Sequence, residues 1–159
     1  MTGAGRKSRF DFHNDEFTHQ VLSCGIKVHK ALRVGLLENA YETCFYRDLI
    51  KNGFSVERQK PMPIIYDGEE IDLAYVPDLI VNDRLIIEVK AVKELVAVHE
   101  AQILTYLKFS GISLGLLMNF HADPLMRGVK RFAWNHPMIN SPVNKAAISW
   151  LRDRTPTLS

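Results

Sequence analysis

The stretch VPDLIVNDRLIIEVKA, residues 76 to 91, constrains the fold of this chain more than any other. Leu79, Ile80, Val81, Leu85, Ile86, Ile87 and Val89 belong in a sheet interior, and Asn82-Asp83 between the two apolar runs is a turn pair. The segment therefore predicts a strand, a tight turn and a second strand. Into that interior the sequence writes Asp78, Glu88 and Lys90. Side chains alternate along a strand, so Glu88 and Lys90 share one face while Ile87 and Val89 take the other. The position of Asp78 depends on the turn. A two-residue loop, Asn82-Asp83, pairs Asp78 with Ile87 and sends its carboxylate to the face opposite Glu88; a three-residue loop, Asn82 to Arg84, sets Asp78 directly across from Glu88. The expectation is the three-residue loop or an equivalent bulge, with Asn82 or Asp83 in a left-handed conformation.

Two neighbouring carboxylates removed from water lose hydration and repel one another, which is costly without compensation. A hard divalent cation resolves the conflict, because Mg²⁺ is usually held by one or two carboxylates together with waters and phosphate oxygens. Lys90 beside such an ion is able to orient or deprotonate an attacking water, or to neutralise charge developing on phosphorus. The chemistry suggested is metal-assisted phosphodiester hydrolysis. A Glu-x-Lys triplet alone is a weak signal, and a solvated edge strand accommodates it better.

The rest of the chain predicts what surrounds this hairpin. Phe17, Val21, Cys24, Val28 and Leu32 recur at helical spacing and draw one apolar stripe, with Gly35 marking its end. A second helix is expected from Leu37 to Asn52, with Ala40, Tyr41, Cys44, Phe45 and Leu49 inward and Gly53 as the stop. FSVERQ, MPIIYDGEEIDLAYVPDLIV and LIIEVKA then read as a meander of antiparallel strands, punctuated by Asp67-Gly68 and Asn82-Asp83. A helix from Val98 to Ser110 ends at Gly111, and strands are expected at SLGLLMNF and VKRFAW. This order predicts an α/β or α+β fold, a sheet covered by helices. Residues 1–14 are expected to be a flexible tail, 15–135 the domain, and 136–159 an appended extension with a short helix from Lys145 to Arg152.

Length and composition fit one globular domain: 159 residues, 47% hydrophobic and 24% charged. The formal charge of +2 reveals no partner, although RGVKRFAWN gathers Arg127, Lys130 and Arg131. No segment reaches the roughly 20 apolar residues of a membrane span. Cys24 and Cys44 sit in helix-like apolar surroundings and read as reduced thiols, which fits a cytoplasmic setting.

PD, followed ten positions after Asp78 by the glutamate of EVK, resembles the PD-(D/E)xK nuclease motif, here on a strand, turn and strand. HEAQILTYL contains Gln102 and Tyr106 separated by three residues, similar to the Q-x-x-x-Y helix of the RecB-like branch. A closer resemblance covers roughly residues 16 to 134: GLLENAY fits the G-x-x-E-x-x-Y signature at Gly35, Glu38 and Tyr41, and VHKAL, ERQ, HEAQILTYL and GLLMNF also look like the GxxExxY protein family. The chain departs from it at Arg33-Val34-Gly35, where the family often writes Gly-Pro-Gly. The resemblance implies a mixed four-stranded sheet flanked by helices, with Asp78, Glu88 and the carbonyl of Val89 near Mg²⁺ or Mn²⁺. It implies that Lys90 is the catalytic lysine and that Glu38 supplies a further acid or holds a water of the ion. Gln102, Tyr106 and Tyr41 are implied as supporting or nucleic-acid-binding residues. RecB-like nucleases can use an upstream histidine as a ligand, which keeps His29 as a candidate; on its apolar stripe with Leu22 and Ile26 it reads more readily as a hydrogen-bonded core residue.

His99 shares a helical face with Gln102 and Tyr106 and is expected to join a polar seam against the sheet, with Glu100 solvated. Asp72, in even register with Asp78, is expected on the same face of a continuous strand but peripheral. Lys108, Arg127, Lys130 and Arg131 are candidate phosphate contacts. The expected function is a metal-dependent nuclease acting on DNA, with a homodimer as one way to grip a duplex. The alternative is a catalytically silent, nuclease-like module that binds nucleic acid or serves as a regulatory partner.

Overall fold

A computed structural model describes residues 15–134, apart from the side chains of residues 72–74. The expected N-terminal tail and the extension with its helix near Lys145 lie outside the described residues. Helix α1 (Glu16–Leu32) begins at Asp15, whose carboxylate accepts from the backbone N–H and the hydroxyl of Thr18. That cap satisfies one of the donors a helix start leaves unpaired. Its stripe of Val21, Leu22, Cys24 and Val28 is buried. The helix ends before Gly35, at Arg33, which takes φ 60° and returns its N–H to the His29 carbonyl. The turn is then held by a side chain further on: the Tyr41 hydroxyl donates to the Arg33 carbonyl and accepts from the Leu36 N–H. Helix α2 (Glu38–Lys51) follows, burying Tyr41, Phe45 and Leu49, with Glu42 buried beside them. Cys24 is buried and Cys44 half-buried, both as free thiols.

The strands are β1 (Val56–Arg58), β2 (Met62–Tyr66), β3 (Glu69–Tyr75), β4 (Leu79–Val81) and β5 (Leu85–Lys90). They do not form the single meander expected from the sequence. β2 and β3 pair only with each other around Asp67-Gly68, as a separate two-stranded ribbon, and β1 pairs directly with β4. The physical reason lies in Pro61, Pro63 and Pro77. Proline lacks the N–H a ladder needs, so Pro61 before β2 and Pro77 after β3 interrupt pairing at the open end of the ribbon, and the ladder shifts register at Pro63. Asp72 therefore lies in a different sheet from Asp78, and the even-register argument that put them on one face does not apply.

Helix α3 (Ala97–Ser110) closes on Gly111, which takes the left-handed conformation at φ 76°. Strand β6 (Leu114–Asn119), a 3₁₀ turn (Leu125–Gly128) and β7 (Val129–Ala133) complete the described chain. The main sheet runs β1-β4-β5-β6-β7, one strand more than the resemblance implied, and only β5 and β6 are parallel. The odd-numbered residues of β4 and β5, Leu79, Val81, Leu85, Ile87 and Val89, and the even-numbered Leu116 and Met118 of β6 pack against α1 and α2. The even-numbered Ile80 and Ile86 join Leu117, Phe132 and the Ile103, Leu104 and Leu107 of α3 on the other face. Helices thus cover both faces of a mixed sheet, and β5 is buried from both sides except at its end. Lys90 stands at that end, next to the buried Glu88 and Val89. No helix among the described residues is long and apolar enough to cross a membrane.

Candidate active site

The β4-β5 loop decides the geometry. Val81 pairs with Leu85, leaving Asn82, Asp83 and Arg84 as a three-residue loop, and the ladder continues through Ile80↔Ile86 and Leu79↔Ile87. Extended by one step, this register sets Asp78 across from Glu88. Both Asn82 and Asp83 adopt left-handed conformations, at φ 51° and 53°, where their short polar side chains lower a cost that most L-residues meet in full. Asn82 is also tied to the start of β1: its N–H donates to the Ser55 carbonyl and its Oδ1 accepts from the Ser55 N–H. Arg84 lays its guanidinium over the Phe17 ring at 4.2 Å.

At the open end of the hairpin the two acids are interlocked through the backbone. The Asp78 N–H donates to Glu88 Oε1 and the Val89 N–H donates to Asp78 Oδ2, each at 2.8 Å. Lys90 Nζ lies 3.8 Å from Glu88 Oε2. Asp78 is 9% and Glu88 2% exposed. Burial pushes the Asp78 carboxyl up to about 6, against the N–H of Val89, which favours its charge. Burial pushes Glu88 up to about 8, and the charge on Asp78 opposes its ionisation further. The pair therefore resists carrying two negative charges at neutral pH.

Two residues that pattern reasoning passed over hold Asp78 in place. Gln59, immediately after β1, takes φ 52° and donates its backbone N–H to the Asp78 carbonyl at 2.9 Å. Its Nε2 donates to Asp78 Oδ1 at 3.0 Å and to Glu42 Oε1 at 2.8 Å. Glu42, buried in α2, also accepts from Arg58 Nε at 3.1 Å. Asn119, passed over likewise, is buried at the end of β6 and bonds both the N–H and the carbonyl of Val92 just past β5. Glu42 was detectable as the i+4 neighbour of Glu38 on one helical face, and Asn119 as a polar residue closing an apolar run. Gln59 closes the ERQ stretch quoted for the family resemblance, but no spacing or periodicity gave it a role.

Glu38 is the first residue of α2, close enough for its charge to oppose ionisation of both Asp78 and Glu88. From the opposite side α3 contributes its polar face. The Tyr106 hydroxyl donates to the Val76 carbonyl at 3.3 Å and accepts from Gln102 Nε2 at 2.9 Å. Burial, then the Glu88 charge, pushes the pKa of this hydroxyl up and keeps it protonated. Tyr106 thereby braces the backbone two residues before Asp78. His99 Nδ1 accepts from the Val96 N–H, closing the start of α3, while burial and the Lys90 ammonium lower its proton affinity. Glu100, expected to be solvated, is ion-paired with Lys130.

Other candidates stand apart from this group. His29 is buried, with Nε2 2.7 Å from the Ala122 carbonyl and its ring near Phe120. One nitrogen is thereby committed to the backbone. Tyr41 stacks on Phe120 and locks the turn before α2; it acts on Glu38 through the backbone that precedes it. Lys108 lies 5.6 Å over the Phe109 ring.

Among the described residues no group of three or more His, Cys, Asp or Glu side chains is gathered closely enough to hold a metal ion. The donor set is instead two buried carboxylates whose joint negative charge the fold leaves undercompensated, with the Val89 carbonyl between Glu88 and Lys90. Each carboxylate oxygen that accepts one N–H keeps a second lone pair. That set fits a hard, partly hydrated divalent cation held by one or two carboxylates, rather than a cage of protein ligands.

A family model described as the PD-(D/E)XK nuclease superfamily matches residues 15–132. No curated protein and no solved structure matches the chain.

Proposed function

The chain belongs to the PD-(D/E)XK nuclease superfamily, and from that membership we propose that it is a metal-dependent nuclease that hydrolyses phosphodiester bonds of DNA. Within the superfamily we assign it to the GxxExxY branch, on Gly35, Glu38, Tyr41 and the Gln102 and Tyr106 pair. The observation that carries the reading is the register that sets Asp78 opposite Glu88 with Lys90 two residues on.

In this reading Asp78, Glu88 and the Val89 carbonyl hold Mg²⁺ or Mn²⁺, which when bound supplies charge neutralisation at the phosphoryl group. Lys90, whose side chain is 15% exposed, orients the attacking water and offsets negative charge developing on phosphorus. Glu38 adds a further acid from α2. Gln102 and Tyr106 keep the Val76-Pro77-Asp78 segment from shifting, so that the carboxylates retain their separation while substrate binds. His29 is left to the core.

One observation favours a second reading, a nuclease-like module that binds nucleic acid or a protein partner without cleaving. Both oxygens of Asp78 and one of Glu88 already have donors within the chain, as a purely structural network requires. Purified protein with Mg²⁺ or Mn²⁺, incubated with single-stranded, duplex and branched DNA, separates the two. The nuclease reading expects cleavage by the wild type and a loss of about 10²-fold or more in Lys90→Ala and Asp78→Ala, the scale on which deleting one such group acts. Equal inertness of all three proteins on every substrate removes it.

A further inference from the structure

We infer that Gln59 is a positioning residue for the reaction: anchored on Glu42, it fixes the rotation of the Asp78 carboxylate and so sets which lone pairs that group offers to a cation. The inference rests on the nuclease reading above and goes beyond it, because Gln59 and Glu42 lie outside the acid, acid and lysine set.

The geometry is specific to an amide. Gln59 Nε2 stands between two carboxylate oxygens, 2.8 Å from Glu42 Oε1 and 3.0 Å from Asp78 Oδ1. Both amide protons are therefore spent on acids, which also decides the orientation of the amide, since its oxygen would face two negative charges if turned over. Glu42 is a rigid anchor because it is 5% exposed and bonded to Arg58 Nε. Arg58 is itself held by Asn39 Oδ1 at 3.1 Å and Thr43 Oγ1 at 2.7 Å, both on α2. The chain of contacts thus runs from α2 through Glu42 and Gln59 to Asp78. Asp78 is gripped at both oxygens, Oδ1 by Gln59 and Oδ2 by the Val89 N–H. A carboxylate fixed at two points has no free rotation about its last bond.

Two further features mark Gln59 as more than a filler. It occupies a left-handed conformation at φ 52°, which costs a residue with an ordinary side chain on the order of 1 kcal/mol and persists only where surrounding contacts impose it. Its backbone N–H donates to the carbonyl of the same Asp78, so main chain and side chain act on one residue. A neutral donor also suits the position: a lysine or arginine there would compete with a cation for the Asp78 charge, whereas an amide orients the carboxylate and leaves its charge intact. Partners that orient ligands in this way typically contribute about 10–100-fold to metal affinity.

The test uses Gln59→Met, which keeps the length of the side chain and removes its donors, and Glu42→Gln, which weakens the anchor. Mn²⁺ is titrated into each folded protein and followed by melting temperature; kcat and KM are then measured on DNA. The expected result is a half-saturating Mn²⁺ concentration raised at least about tenfold in Gln59→Met, with a smaller rise in Glu42→Gln. The metal-free melting temperature of Gln59→Met should fall by a few degrees, so each Mn²⁺ response is read against that variant's own metal-free value, and its kcat should fall while KM for DNA stays. A Mn²⁺ response and kcat equal to wild type in Gln59→Met overturn the inference and leave the nuclease reading standing. A wild type that shows neither a Mn²⁺ response nor cleavage overturns both.

Discussion

Glu88 holds the Asp78 N–H, Asp78 holds the Val89 N–H, and the two acids oppose each other's charge, a balance that is measurable. Both carboxyls are raised by burial, from 3.8 to about 6 and from 4.5 to about 8. A carboxyl raised in the folded state binds its proton more tightly folded than unfolded, so protonation favours the fold. The contribution is fully present below about pH 4 and is lost as pH rises through about 8. Metal-free protein should therefore lose stability between pH 4 and 8, as read by denaturant midpoints. Glu88→Gln should flatten the upper part of that loss, gaining stability over wild type at pH 9 and none at pH 5, because the amide still accepts the Asp78 N–H without carrying charge. A gain of equal size at both values would show that charge is not the cause. At Tyr106 the expected effect is mechanical. Tyr106→Phe deletes the hydroxyl that links Gln102 to the Val76 carbonyl and should cost about 1 kcal/mol in chemical denaturation, the usual net worth of such a bond.

The β4-β5 hairpin is the element on which the site depends. With Asn82, Asp83 and Arg84 as its loop, an even-numbered residue on one strand meets an even-numbered residue on the other. Removing Asp83 shortens the loop to two residues, and a one-residue slip exchanges the faces of a strand. Asp78 then faces Ile87. The expected outcome is a folded protein, with its helix content retained by circular dichroism, that no longer responds to Mn²⁺ and does not cleave. Retained cleavage would mean that the register is not what joins the acids. The ribbon of β2 and β3 shows the opposite case, an element whose place the local pattern did not reveal. Its alternation reads as two more strands of one meander, yet Pro61 and Pro77 flank it and its strands pair only with each other.

For the whole molecule, three elements distant in sequence converge on the end of β5: the start of α2 with Glu38, the end of β1 with Gln59, and the face of α3 with His99, Gln102 and Tyr106. A cation that binds only the folded arrangement stabilises all of it at once. At about 100 times its dissociation constant it should add roughly 2.7 kcal/mol, or about 5–10 °C in melting temperature for a chain of this size. Asp78→Ala should abolish the shift. A shift of the same size in Asp78→Ala would assign the ion to another site.

What the sequence determined by itself was whatever depends on near neighbours. The apolar periods of α1, α2 and α3, the alternation of β5, the stop at Gly111 and the sharing of a face by Glu88 and Lys90 all follow from spacings of two to four residues. The choice between a two-residue and a three-residue loop was the one local question that sequence posed without closing, since Asn and Asp suit a left-handed turn in either. Tertiary structure decided the rest. Glu42 reads locally as a solvent-side acid of α2, and only the approach of Arg58 and Gln59 makes it a buried anchor. Gln59 carries no periodic signature at all, because its role consists of bridging two acids that lie 17 and 19 residues from it along the chain. Charge and hydrogen bonding act through space over a few ångströms, and which residues come within that distance is fixed by the packing of the sheet and its helices, not by their order in the chain.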